Sequence, residues 1–156
     1  MINRFRYYLR VRYGECDAQR VVFNARYGDY VDLATTEFLR ALGFGDDVIQ
    51  GTLDYQLVKQ TFEWKQPACF DQVLEVAVAA TRLGNTSFTL HSEFRIAGDE
   101  RPIAGVETVY VLVDSVTLQK RELPPDFRAA LERGAPNQAT DHANYLGQPV
   151  KRDEPT

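Results

Sequence analysis

The sequence predicts an α+β fold in which a curved antiparallel sheet wraps around one long central helix. Three observations carry this expectation. One long run, Ala25 to Leu42, repeats its apolar residues every three or four positions. Before and after it, apolar residues alternate with a period of two. The downstream alternating runs follow one another across short turns, which suits antiparallel neighbours rather than parallel strands joined by helices.

The elements follow in order. Phe5, Tyr7, Leu9, Val11 and Tyr13 alternate with Arg6, Tyr8, Arg10 and Arg12, giving a first strand with one buried face. The stretch VRYGECDAQRVVFNARYGDY, Val11 to Tyr30, then turns from strand to helix through an elbow that carries Asp17. Asn24 is placed to cap the helix and Gly43 to close it. Tyr27, Tyr30, Val31, Ala34, Phe38 and Leu42 form its apolar stripe. FGDDVIQG is a polar connection with room for a short helical turn. Strands are predicted over Leu53–Trp64, Val73–Leu83, Ser87–Ile96 and Ile103–Val113, with a tight turn at Gly84–Asn85. The last of these is apolar on both faces, so a second copy of the chain is expected to cover part of the sheet. A short helix over Pro124–Arg133 has prolines at its start and Gly134 at its end. These elements predict a single domain over residues 1–134 and a polar, loosely ordered tail over 135–156.

Composition bounds the function. The 156 residues are 44% hydrophobic and 26% charged, with a formal net charge of -4 and a pI near 5.2. Bulk charge of that sign argues against coating nucleic acid or an anionic membrane. Cys16 and Cys69 are the two cysteines, too few for a disulfide framework or a zinc site. There is no apolar core of signal-peptide length at the N-terminus and no run long enough to span a bilayer, so a cytoplasmic protein is expected. His91 and His142 have no Cys, Asp or Glu at ligand spacing, so neither a metal site nor a cofactor is expected.

The stretch RVRYGECDAQRVVFNARYGDYVDLATTEFLRALG resembles the opening of the hotdog-fold 4-hydroxybenzoyl-CoA thioesterase family. The matching positions are Asp17, Val21, Val22, Asn24 and Tyr27. WKQPACFDQVLEVAVAATRLGNTSFTLHSEF is also similar, through its proline and its G-x-T-S turn, and the likeness covers residues 5 to 133. It implies hydrolysis of an acyl-CoA thioester by a homodimer or a dimer-of-dimers tetramer. The chain departs from the family at Arg20, where the family usually has glycine, a residue that tolerates backbone angles arginine resists.

Within that resemblance one carboxylate suffices. A thiol with a pKa of about 8.5 leaves without a strong general acid. The oxyanion can be met by unpartnered N–H groups at a helix start, aided by the helix dipole. The resemblance points to the backbone N–H of Asn24 as donor and to Asp17 as nucleophile or general base. Beside Val21, Val22 and Phe23, Asp17 is expected to be partly desolvated. Phe23 and Tyr27 are candidates to line the acyl pocket, and Asn85, Thr86 and Ser87 to reach the acyl-CoA of the neighbouring subunit. Arg82, Lys120, Arg121 and Arg128 are candidates for the CoA phosphates. Some related hotdog thioesterases carry their active carboxylate on the helix near Asp32; here Asp32 is read instead as a helix carboxylate that pairs or hydrogen-bonds across the subunit contact. Three other functions fit less closely. One is a module that binds acyl-CoA without turning it over. Another is a thioesterase acting on acyl carrier protein. The third is a dehydratase, which needs a histidine and an acid in one pocket.

Overall fold

The structure is a computed structural model that describes residues 3–147. Six strands form one sheet: β1 (Phe5–Arg10), β2 (Asp54–Trp64), β3 (Val73–Leu83), β4 (Ser87–Ile96), β5 (Pro102–Val113) and β6 (Ala139–Asp141). Their order across the sheet is β2-β5-β4-β3-β1-β6. Every contact among β1 to β5 is antiparallel, and β6 lies parallel to β1. Among the described residues three α-helices accompany the sheet: α1 (Arg26–Ala41), α2 (Gly45–Gln50) and α3 (Pro125–Arg133).

The sheet wraps α1 because alternate residues of five strands point at its apolar stripe. Phe38 of α1 meets Phe5 of β1 at 5.8 Å between ring centroids. Tyr27 meets Phe94 of β4 at 5.4 Å and Trp64 of β2 at 6.0 Å. The Thr35 hydroxyl lies 3.4 Å from the Tyr110 hydroxyl of β5. One helix therefore touches the sheet from β1 to β2, and Leu74, Val76 and Val78 of β3 complete the buried layer. At the far end, Phe127 of α3 packs on Phe88 and Phe44. The helix stops where the sequence indicates. Gly43 takes a left-handed φ of 96°, and the N–H groups of Gly43 and Phe44 return to the carbonyls of Arg40 and Leu39.

Two expectations are corrected. Tyr13 does not continue the buried face of the first strand. The strand ends at Arg10, a single 3₁₀ turn follows over Tyr13–Glu15, and Tyr13 points outward with 79% of its surface exposed. The segment after Gly134 is not loose as far as Leu146. It adds β6 to the edge of the sheet, and Tyr145 stacks on Tyr8 at 5.4 Å. The Asp141 carboxylate fixes this turn by accepting from the N–H groups of Ala143, Tyr145 and Leu146. This cover explains why Tyr8, on the face opposite α1, is buried. The end of the expected tail, 148–156, lies outside the described residues.

The opposite edge, β2, has no neighbour on its outer side among the described residues. It carries a bulge between Leu57 and Lys59, and Leu57, Val58 and Trp64 remain substantially exposed there. No helix among the described residues is long and apolar enough to cross a membrane.

Candidate active site

The elbow between β1 and α1 is a small hairpin. Cys16 bridges Val22, and Val21 bridges Cys69 on its other side. The Asp17 N–H donates to the Val21 carbonyl, and the Arg20 N–H donates back to the Asp17 carbonyl. This is a four-residue turn closed by a left-handed residue, the geometry in which glycine is favoured at the last position. Arg20 occupies that position with φ 62°. The departure from the family pattern therefore leaves the turn's shape intact at a backbone cost of about 1 kcal/mol.

Asp17 starts the turn, and its Oδ1 accepts from the Gln19 N–H at 2.8 Å. Its Oδ2 has no partner among the described residues. The side chain is exposed rather than partly desolvated by Val21, Val22 and Phe23 as expected. Val22 turns into the core, whereas Phe23 is 54% exposed. Asp17 lines an open cavity of about 370 Å³ with Tyr13, Cys16, Arg20 and Phe70. The rings of Tyr13 and Phe70 meet edge to face at 5.7 Å on its rim.

The helix start is less directly capped than the sequence suggests. Ala25, not Asn24, holds the capping position, and no side chain among the described residues caps this end. The Asn24 carbonyl accepts from Tyr27, and the Phe23 carbonyl from Arg26. Among the described residues nothing accepts from the backbone N–H of Asn24 or Ala25, so two donors stay open. The Phe23 N–H donates to the Glu15 carbonyl, which sets Asn24 three residues beyond the Asp17–Val21 rung. That is about 10 Å along the hairpin.

Sequence reasoning passed over Glu15. It is 6% exposed, and its Oε1 accepts from the Arg12 N–H at 2.8 Å and the Tyr30 hydroxyl at 2.9 Å. Its Oε2 accepts from the Arg12 guanidinium at 2.8 Å. Burial pushes this carboxyl up, but the Arg12 and Tyr30 donors outweigh it and hold the pKa below its ordinary value. Burial and Glu15 together push the Tyr30 hydroxyl far above the usual tyrosine range. Glu15 thus ties the elbow to α1. The spacing Arg12-x-x-Glu15 was the available signal, since an acid three residues on can reach back to a free N–H.

The remaining candidates are spread out. Tyr27 is a core residue, 1% exposed. Asn85 and Thr86 give their carbonyls to the N–H groups of Leu123 and Leu112. Ser87 lines a cavity of about 630 Å³ with Arg82 and Lys59. Arg121 and Arg128 are bonded to the carbonyls of Thr52 and Gly84. The 11 residues of β3 separate this turn from the elbow, about 35 Å in one chain. Asp32 makes no ion pair among the described residues. Desolvation, then nearby Asp29, raises its pKa, although the side chain keeps contact with solvent. The His91 Nδ1 accepts from the Arg4 guanidinium at 2.9 Å on the outer face of the sheet. His142 is not in a loose tail. It bonds to the Tyr7 hydroxyl at 2.8 Å and shares a cleft with Glu15 and Tyr30, but both oxygens of Glu15 are already engaged. No group of three or more His, Cys, Asp or Glu side chains among the described residues could hold a metal ion.

A strand, an acid-bearing elbow and a helix wrapped by an antiparallel sheet define a class of protein, and comparison with known sequences identifies it. A profile of the Thioesterase-like superfamily matches residues 11–131, and the chain belongs to that superfamily, with the hotdog fold. It is 30% identical over 131 residues to the acyl-CoA thioester hydrolase YbgC of Escherichia coli O157:H7, covering 83% of this chain and 96% of that one. It is 27% identical over 120 residues to a 1,4-dihydroxy-2-naphthoyl-CoA hydrolase of Synechococcus elongatus, covering 73% and 85%. A solved structure of a gentisyl-coenzyme A thioesterase superposes with a TM-score of 0.72 at 27% identity, over 81% of this chain and 98% of that one.

Proposed function

We propose that the protein hydrolyses an acyl-CoA thioester to a free acid and CoA, with Asp17 as the activating carboxylate. The observation that carries this reading is the open Oδ2 of Asp17 in a cavity on the elbow, with two unpartnered helix-start amides about 10 Å further along the same hairpin. The relatives are named for hydrolysis of acyl-CoA thioesters, which supports the reaction class. Asp17 acts either as nucleophile or as base. As nucleophile it forms a mixed anhydride, expels the thiolate and is regenerated by water. As base it takes a proton from the water that attacks the carbonyl. The Asn24 N–H receives the developing oxyanion.

The site is completed by a second copy. β2 is an unpaired edge among the described residues, and antiparallel self-pairing sets its Asp54 end beside the partner strand's Trp64 end. The Asp54 end carries the Asn85–Ser87 turn, and the Trp64 end lies beside the start of α1. Pairing therefore shortens the 35 Å separation by bringing one chain's turn towards the other chain's elbow. Arg82 and Lys59 then supply positive charge for the phosphates of CoA.

The test is release of free thiol from benzoyl-, short-chain and long-chain acyl-CoA substrates. Release from at least one class is expected. Tight binding without release from any of them would make the protein a binding module instead. Release from acyl carrier protein thioesters alone would move the substrate to that carrier.

A further inference from the structure

We propose that Arg20 selects substrates that carry an anionic group on the acyl part of the thioester. This rests on the thioesterase reading above and names a residue that the reaction itself does not require. Arg20 holds a left-handed backbone conformation, φ 62°, that its side chain makes costly. Its guanidinium has neither an ion pair nor a hydrogen bond among the described residues. That sets it apart from Arg10, Arg12 and Arg26, the cations nearest in sequence, which all pair with carboxylates. Its backbone is nevertheless fixed, since the Arg20 carbonyl accepts from the Phe70 N–H at 3.0 Å. The side chain lines the same cavity as Asp17, together with the Tyr13–Phe70 ring pair.

A cation at the mouth of an open site, with no partner of its own, is arranged to meet an anion. A thioester substrate can offer two, a carboxylate on the acyl chain or the phosphates of the carrier. Reach favours the first. Arg20 and Asp17 are ends of one four-residue turn, with Cα atoms under about 7 Å apart. The guanidinium can therefore reach the thioester that Asp17 meets, whereas the pantetheine arm carries the phosphates many bonds away.

The experiment compares succinyl- with butyryl-CoA as a matched pair, in wild type, Arg20→Gln and Arg20→Lys. Both kcat/KM and the dissociation constant are measured, the latter by calorimetry. Wild type is expected to favour succinyl over butyryl. Arg20→Gln is expected to reduce that ratio by about fivefold, the strength of a solvent-exposed ion pair, in both measurements. Arg20→Lys should restore part of it. A ratio unchanged by Arg20→Gln overturns the proposal. So does a loss that is equal for both CoA esters but vanishes with the N-acetylcysteamine thioesters, which lack phosphate, because the anion is then the carrier's. If wild type binds both esters and cleaves neither, the ratio of dissociation constants decides the role of Arg20, and the hydrolase reading is decided separately by thiol release across the benzoyl-, short-chain and long-chain panel.

Discussion

Glu15 and Asp17 stand two residues apart on one elbow, and the structure uses them in opposite ways. Glu15 is buried, and both its oxygens accept from Arg12 or Tyr30. Asp17 is exposed and has one oxygen committed to its own turn. A carboxylate whose acceptor positions are filled contributes to the fold and has little left for chemistry. One with an open oxygen contributes little to stability and remains available to a substrate. The two residues should therefore separate cleanly, Glu15 in stability and Asp17 in rate.

The largest expected change in stability is at Glu15. Glu15→Ala leaves the Tyr30 hydroxyl buried without its acceptor and should cost about 2–3 kcal/mol in chemical denaturation. Glu15→Gln keeps an acceptor for Tyr30 and should cost less. Equal and negligible losses would show that the network does not hold the elbow to α1. The next effect is in pH. The folded-state pKa of Glu15 lies below its ordinary value of 4.5, so its stabilisation is complete above that value and is lost as pH falls through the lower, folded value. Below pH 4.5 the wild type should lose stability more steeply than Glu15→Gln, as followed by thermal melts across pH. Parallel curves would contradict the assignment.

Arg20→Gly comes third and has the opposite sign. Relief of the left-handed backbone should raise stability by about 1 kcal/mol, because glycine meets no penalty at φ 62°. Smallest of all is Asp17→Asn, which can keep the turn bond to the Gln19 N–H and should shift stability by no more than about 0.5 kcal/mol.

The sequence showed Asp17 and hid Glu15 for physical reasons. Asp17 lies in a local turn whose residues announce it. Glu15 becomes important only when Tyr30, a full helix turn into α1, swings back over the elbow. The strands were legible because period-two alternation is local, and the predicted Val73–Leu83 and Ser87–Ile96 coincide with β3 and β4. The segment after Gly134 was not. Its polar composition concealed an aspartate that organises three backbone N–H groups and a tyrosine that covers Tyr8. The capping role given to Asn24 failed by one position, since the helix begins from Ala25 without a side-chain cap. The distance between the elbow and the Asn85–Ser87 turn could not be read from sequence at all, because it depends on which ends of the strands adjoin.

The most direct test is the rate of thiol release by Asp17→Asn, measured beside wild type and Asp32→Asn on the best acyl-CoA substrate at a temperature where all three are folded. Loss of the activating carboxylate should lower kcat at least about a hundredfold while the melting temperature barely moves. Asp32→Asn should retain most of the wild-type rate. An Asp17→Asn protein that releases thiol as fast as wild type, or a loss confined to Asp32→Asn, would contradict the account.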